Sequence, residues 1–225
     1  MGERSVIQTN DGSSSVLDSF WNASFHSVHG ALTESNHVYI NSGLSQFQNS
    51  LEPVRIFEFG FGTGLNTFLS FIYGLKHDIS IEYTAIDSHI LENDLVSLLD
   101  YPKHPLLLPF SDYFFLIHQH EWNKPIQLSQ GFRLNKIKSD WTAYVPNEPI
   151  EYDLVFFDAF GPEVQPELWD FHSLQKVYSM MKQGGIFCTY CAKGSVKRLL
   201  KQIGFKLESL PGPPGKREIS RAIKL

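Results

Sequence analysis

At 225 residues the chain has room for one sizeable domain with a full hydrophobic core. Its net charge of −5 at pH 7 is not that of a general nucleic-acid binder, and two cysteines, Cys188 and Cys191 in CTYC, are too few for a zinc site of about four ligands. No apolar run is long enough to cross a bilayer and the start of the chain lacks a signal-peptide core, so the expectation is a soluble, cytoplasmic protein with no metal and no membrane partner.

Residues 1–53 are polar and irregular, with a Ser-rich DGSSS stretch expected to fray, and read as an N-terminal extension packing on a domain at 54–225. From Val54 the texture changes. RIFEFG is a short apolar strand, LNTFLSFIYGL follows with helical spacing of Leu65, Phe68, Leu69, Ile72 and Leu75, and ISIEYTAID is a second strand ending at Asp87. LENDLVSLL reads as a modest helix. An irregular insertion at about 101–130, Pro-punctuated and aromatic, fits no simple element.

FRLNKIKSD is a strand of alternating character ending at Asp140, and YDLVFFDAF is the near-continuous apolar run of a strand covered on both faces. PELWDFHSLQKVYSMMK is a helix, GGIFCTYC a strand, SVKRLLKQI a helix. FKLESL and EISRAI flank the PGPPGK loop as an antiparallel hairpin at the sheet edge. This alternation predicts a doubly wound α/β sheet. Charge is uneven along it: from Tyr190 to the end nine Lys/Arg against two Glu leave +7, so the preceding 189 residues carry −12. Such a block is either a solvated helix face or a polyanion-binding edge.

In open α/β sheets ligands bind beyond the carboxyl ends of the strands. Gly60, Gly62 and Gly64 in EFGFGTGLNTF therefore line the expected crevice, but the third glycine comes one position early for a dinucleotide fingerprint. A tight strand-to-helix turn without a ligand would also explain them. Acids at successive strand ends weigh against that: Asp87, 23 residues after Gly64, can accept two ribose hydroxyls, while Asp140 and Asp158 close the next two strands.

The E-x-G-x-G-x-G spacing resembles the first motif of class I S-adenosylmethionine-dependent methyltransferases. SFHSVHGALTESNHVYINSGL, FEFGFGTGLNTF, DAFGPEVQPELW, TYCAKGSVKRLL and GPPGKRE together, in that order, resemble the methyltransferase domain of MnmC-type tRNA 5-methylaminomethyl-2-thiouridine biosynthesis proteins and their stand-alone relatives. The resemblance implies a Rossmann-like class I fold with a seven-stranded, mostly parallel sheet and an antiparallel C-terminal hairpin. It implies S-adenosyl-L-methionine as cofactor, held by Glu58, Gly60, Gly62, Gly64, Asn66, Asp87, Asp140 and Asp158. It also implies N-methylation of the 5-aminomethyl group of a wobble (2-thio)uridine.

On the same ground the partner is a tRNA anticodon stem-loop, touched by Phe160, Pro162, Lys216, Arg217 and Glu218. A separate FAD-dependent oxidase would act upstream, since two-domain relatives carry one. The chain departs from many relatives in having Val164-Gln165 where they have Lys-Asn.

Methyl transfer to nitrogen needs a neutral amine held in line and a group that stabilises the ammonium as it forms. Asp158 is the residue expected to do this; the alternative is that it caps the loop to Pro162. The aromatic insertion (Phe110, Tyr113, Phe114, Phe115, His118, His120, Trp122) could stack a splayed base or simply pack. Two other functions share the motifs: a polyamine aminopropyltransferase-like enzyme, disfavoured by the basic tail, and a catalytically silent tRNA- or nucleoside-binding module.

Overall fold

The computed structural model describes residues 3–146 and 151–225. At the N-terminus Arg4–Gln8 (β1), Ser14–Asp18 (β2) and Ala23–Ser24 (β3) form a small antiparallel sheet. Ala31–Ser35 (α1) then runs directly into a π-helical turn at Asn36–Asn41. The DGSSS stretch is not frayed: Ser13, Ser14 and Ser15 are buried. Their hydroxyls make this possible because each has a partner, Ser13 with Asp11, Ser14 with Asp100 and Ser15 with His26. Ser14 donates both its N–H and its hydroxyl to Asp100, at 2.8 Å each, and Asp11 gathers Thr9, Ser13 and Thr33.

The main unit alternates strands and helices: Val54–Phe59 (β4), Leu65–His77 (α2), Ile81–Asp87 (β5), Asn93–Leu98 (α3), Ser111–Gln119 (α4), Ile126–Ser129 (β6), Phe132–Lys138 (β7), Tyr152–Phe157 (β8), Phe171–Ser179 (α5), Met181–Thr189 (β9), Gly194–Ile203 (α6), Phe205–Pro211 (β10) and Glu218–Lys224 (β11). The strands lie in the order β10-β11-β9-β8-β4-β5-β7-β6. Neighbours from β9 to β7 are parallel; β10 and β11 close one edge as an antiparallel hairpin. The sheet thus has eight strands where seven were expected. The eighth, β6, pairs antiparallel with β7. It has only four residues, directly after Pro125, too few for an alternating pattern to register in the sequence.

Strand alternation builds two cores. Ile56, Leu154 and Phe156 face α2 and the N-terminal turn, whereas Phe57, Phe59, Val155 and Phe157 face α5 and α6. The stretch expected to be irregular at 101–130 contains α4, whose Phe114 and Ile117 are fully buried. Aromatic residues all round it and Pro102, Pro105 and Pro109 before it hide the helical period. Cys188 and Cys191 are buried free thiols, and burial pushes Cys188 up to about 12, which leaves it protonated and inert. Among the described residues no helix is long and apolar enough to cross a membrane.

Candidate active site

β4 is the strand from which the chain leaves first to β5 and later, on the other side, to β8, so the topological switch point lies at its carboxyl end. A cleft of about 370 Å³ opens there. Gly60, Gly62 and Gly64 all have positive φ, at 84°, 51° and 70°. What comes close to them is the protein itself. A Cβ on Gly60 would sit 2.8 Å from the Asp158 carbonyl oxygen, one on Gly62 would meet the Phe25 ring at 3.0 Å, and one on Gly64 would meet His118 Nε2 at 2.7 Å. The loop needs glycine for its left-handed backbone and for docking α4 and the N-terminal segment against it.

Asp158 forms the floor of the cleft. Its amide donates to the Phe59 carbonyl at 2.9 Å, which ties the end of β8 to the end of β4. The carboxylate accepts the Tyr39 hydroxyl at 2.6 Å on one oxygen and the Asn66 amide at 2.8 Å on the other. Burial drives its pKa up to about 7 against these two bonds, which lower it, with Glu34 adding a further upward push and Lys216 a downward one. The group is therefore a carboxylate that changes protonation state near neutrality. Each oxygen keeps a lone pair for another donor.

At the other end Asp87 accepts the Gly62 amide at 2.9 Å and the His89 amide at 2.7 Å, which fixes its carboxylate against the glycine loop. Asp140 is held by the amide and hydroxyl of Thr142, and those bonds keep its pKa below the usual carboxylate value. Trp141 beside it is packed edge-on against Phe59 and donates to Ser173 at 2.8 Å. Carboxylates at two strand ends with an apolar wall between them fit a nucleoside-bearing cofactor. Asn66 Oδ1 fits too, as a buried acceptor with no partner among the described residues.

Of the residues expected in the site, Gly60, Gly62, Asn66, Asp87, Asp140, Asp158 and Phe160 line this cleft. Glu58 does not. Strand alternation turns it toward α2, where it is fully buried and accepts the Thr67 hydroxyl at 2.9 Å. Gly64, Pro162, Lys216, Arg217 and Glu218 also lie outside the lining. Lys216 is not a free cation: its ammonium pairs with buried Glu34 and lies 4.0 Å from the centre of the Tyr190 ring. Glu218 is paired with Lys197 at 2.8 Å. Arg217 is exposed. In the aromatic insertion, Tyr113 packs on Phe71, Phe114 on Phe68, and His118 donates to the Thr63 carbonyl behind the glycine loop.

Sequence reasoning gave no role to Tyr39, His26 or Gln165. Tyr39 holds Asp158. His26, which burial keeps neutral by lowering its pKa to about 4, lines the cleft between Ser15 and Thr63. Gln165 accepts the Phe160 amide at 3.2 Å and also lines the cleft. Their signal lay in the two blocks SFHSVHGALTESNHVYINSGL and DAFGPEVQPELW, where nothing marks which residue faces a site.

Comparison with known proteins accords with this geometry. A family model described as S-adenosyl-L-methionine-dependent methyltransferase matches residues 112–225. The tRNA 5-methylaminomethyl-2-thiouridine biosynthesis bifunctional protein MnmC of Nitrosospira multiformis is 30% identical over 206 residues, covering 87% of this chain and 33% of that protein. Its counterpart in Idiomarina loihiensis is 30% identical over 248 residues, covering 97% and 38%. The chain therefore spans about a third of the length of these relatives. The crystal structure of MnmC2 from Aquifex aeolicus superposes with a TM-score of 0.82 at 22% identity, over 99% of this chain and 70% of that one, and shows the same fold. With the motifs, the cleft and the family match in agreement, the chain belongs to the S-adenosyl-L-methionine-dependent methyltransferases.

Proposed function

We propose that this chain transfers the methyl group of S-adenosylmethionine to the amino group of a 5-aminomethyl-(2-thio)uridine at the wobble position of tRNA. The similarity to MnmC proteins, named for tRNA 5-methylaminomethyl-2-thiouridine biosynthesis, supports the choice of substrate. One observation carries the chemistry: Asp158, at the floor of the cleft, is a half-buried carboxylate oriented by Tyr39 and Asn66 and poised near neutrality.

When bound, the cofactor supplies an electrophilic methyl group on positively charged sulfur. Gly60, Gly62, Asn66, Asp87 and Asp140 are the residues that would hold it. The ionised Asp158 accepts an N–H from the incoming amine and so aims its lone pair. It then stabilises the ammonium that forms. With a proton affinity near 7 it can also take the ammonium proton far more readily than an ordinary carboxylate near 4. Tyr39 and Asn66 prevent the carboxylate from rotating away. In this reading a separate FAD-dependent oxidase acts upstream to expose the amine.

The test is mass spectrometry of nucleosides from tRNA carrying the aminomethyl group, after incubation with the protein and S-adenosylmethionine. Gain of one methyl on that nucleoside is expected. An unchanged nucleoside, with the cofactor demonstrably bound, would remove the assignment.

A further inference from the structure

The cleft has an aromatic mouth that neither the glycine loop nor the acids account for. Phe20, Trp21, Phe25 and Phe160 all line it. Phe25 and Phe160 meet edge to face at 5.2 Å, Trp21 tilts over Phe160 at 6.2 Å, and Phe20 stands on Trp21 at 4.8 Å. Phe20, Trp21 and Phe160 belong to neither hydrophobic core, and Phe20 is 67% exposed. Rings that only stabilised the fold would be expected to be covered.

The loops that present them are built rigidly. Buried Asp18, paired with Arg4 at 2.8 Å, accepts the amides of Phe20 and Trp21 at 2.9 and 3.3 Å. On the opposite lip the Phe160 amide is held by Gln165, and its carbonyl accepts Trp169 Nε1 at 2.7 Å. Phe160 lies two residues beyond Asp158 and lines the same cleft, so a base stacked here is held in the compartment of the reactive carboxylate. The 212–217 loop packs on His29 of the N-terminal segment through Gly215, and its Arg217 is exposed with no ion-pair partner among the described residues.

We propose that Phe20, Trp21 and Phe160, backed by Phe25, form a stacking platform for one unpaired nucleobase of the RNA, the base that carries the amine to Asp158. The platform rests on the tRNA reading above. Enzymes acting on a base must take it out of the helical stack, and aromatic faces replace the lost stacking without demanding a particular base edge. A free polyamine has no π-face to offer these rings. The insertion around α4 is not placed to do this: none of its aromatic residues lines the cleft, Phe114 is fully buried and Tyr113 is packed against Phe71.

The test titrates the full chain with an anticodon stem-loop carrying an unpaired 5-aminomethyluridine, following tryptophan fluorescence and, separately, methyl transfer. Of the four tryptophans, Trp141 and Trp169 are buried and Trp122 packs edge-on against Phe61 outside the cleft lining, so quenching is expected to come mainly from Trp21 and to shrink in Trp21→Phe while affinity is kept. Trp21→Ala and Phe160→Ala should each weaken stem-loop binding by roughly 5- to 100-fold, the loss of one stacking contact. Phe160→Tyr should restore it. Calorimetric affinity for S-adenosylmethionine should stay within about twofold of the parent, which also shows that the variants fold. Unchanged stem-loop affinity in both alanine variants would overturn the platform. So would a parallel loss of cofactor affinity, which would make the rings a cover for the cofactor. A parent that binds and is quenched but transfers no methyl group keeps the platform and removes the proposed reaction.

Discussion

Tyr39 and Asp158 lie 119 positions apart in the chain and meet through a single 2.6 Å bond. That bond lowers the proton affinity of a carboxylate that burial has raised to about 7. The sign of its removal follows: in Tyr39→Phe the carboxylate loses a donor, its pKa rises further, and ionised Asp158 appears only at higher pH. The rising limb of the pH profile of methyl transfer should therefore move to higher pH in Tyr39→Phe, read as kcat/KM against pH. Asp158→Ala should lose the group altogether, with kcat down roughly a hundredfold or more and cofactor affinity nearly unchanged. Turnover close to the parent in Asp158→Ala would reduce the residue to a loop cap.

Glu58 obeys the same physics away from the cleft. Burial, aided by Asp158, raises it to about 8 despite the Thr67 bond, and its Oε1 has no partner among the described residues. A folded-state pKa above the unfolded value means that stability is fullest below the unfolded value, near 4.5, and is lost as pH rises through about 8. Denaturant unfolding should show that decline at up to about 1.4 kcal/mol per pH unit for one proton. Glu58→Gln, uncharged throughout, should flatten it.

Among the elements, the glycine loop was visible in the sequence as a motif, and its neighbours were not. Spacing alone tells that the backbone between β4 and α2 is unusual; it does not tell that His118, 54 positions after Gly64, fills the space a side chain would need. A Cβ at Gly64 faces a left-handed φ of 70° and a histidine already bonded to the Thr63 carbonyl at 3.0 Å. Gly64→Ala should thus destabilise the protein by about 1–3 kcal/mol even without cofactor, measured as a lowered denaturant midpoint.

The parallel strands β4, β5, β7, β8 and β9 and helices α2, α5 and α6 were legible because each carries a long apolar period. β6, α4 and the N-terminal sheet were not. The first is too short, the second is aromatic on every side, and the third is stabilised by serine and aspartate hydrogen bonds that look like loop composition. In the site, Asp87, Asp140 and Asp158 were readable as strand-end acids. Tyr39 and the Trp21 turn were not, since partners brought in from a distant segment leave no local pattern.

For the molecule as a whole, the charge asymmetry takes a more specific form once the pairs are known. The C-terminal block carries nine cations, but Lys193, Lys197, Lys216 and Arg221 are ion-paired with Glu163, Glu218, Glu34 and Glu208, and Lys224 donates to the Met181 carbonyl. Arg198, Lys201, Lys206 and Arg217 are exposed and have no such partner among the described residues. Arg198 and Lys201 stand three apart on α6, on one face of the helix. The acidic remainder of the chain repels a phosphate backbone, but that repulsion is screened beyond about 8 Å at physiological salt, so a local group of free cations can still dock it. Each phosphate contact releases condensed counterions and contributes about 0.7 to 0.9 to the slope of log K against log salt. Arg198→Ala with Lys201→Ala should weaken tRNA binding and flatten that slope by about 1.4 to 1.8, and Arg217→Ala should flatten it by about half as much. Lys216→Ala should leave the slope at its parent value, because its charge is spent on Glu34, while unpairing Glu34 beside Asp158 should move the pH profile of turnover upward. A slope that falls in Lys216→Ala and holds in the α6 variant would put the RNA on the hairpin loop and leave α6 as a solvated face.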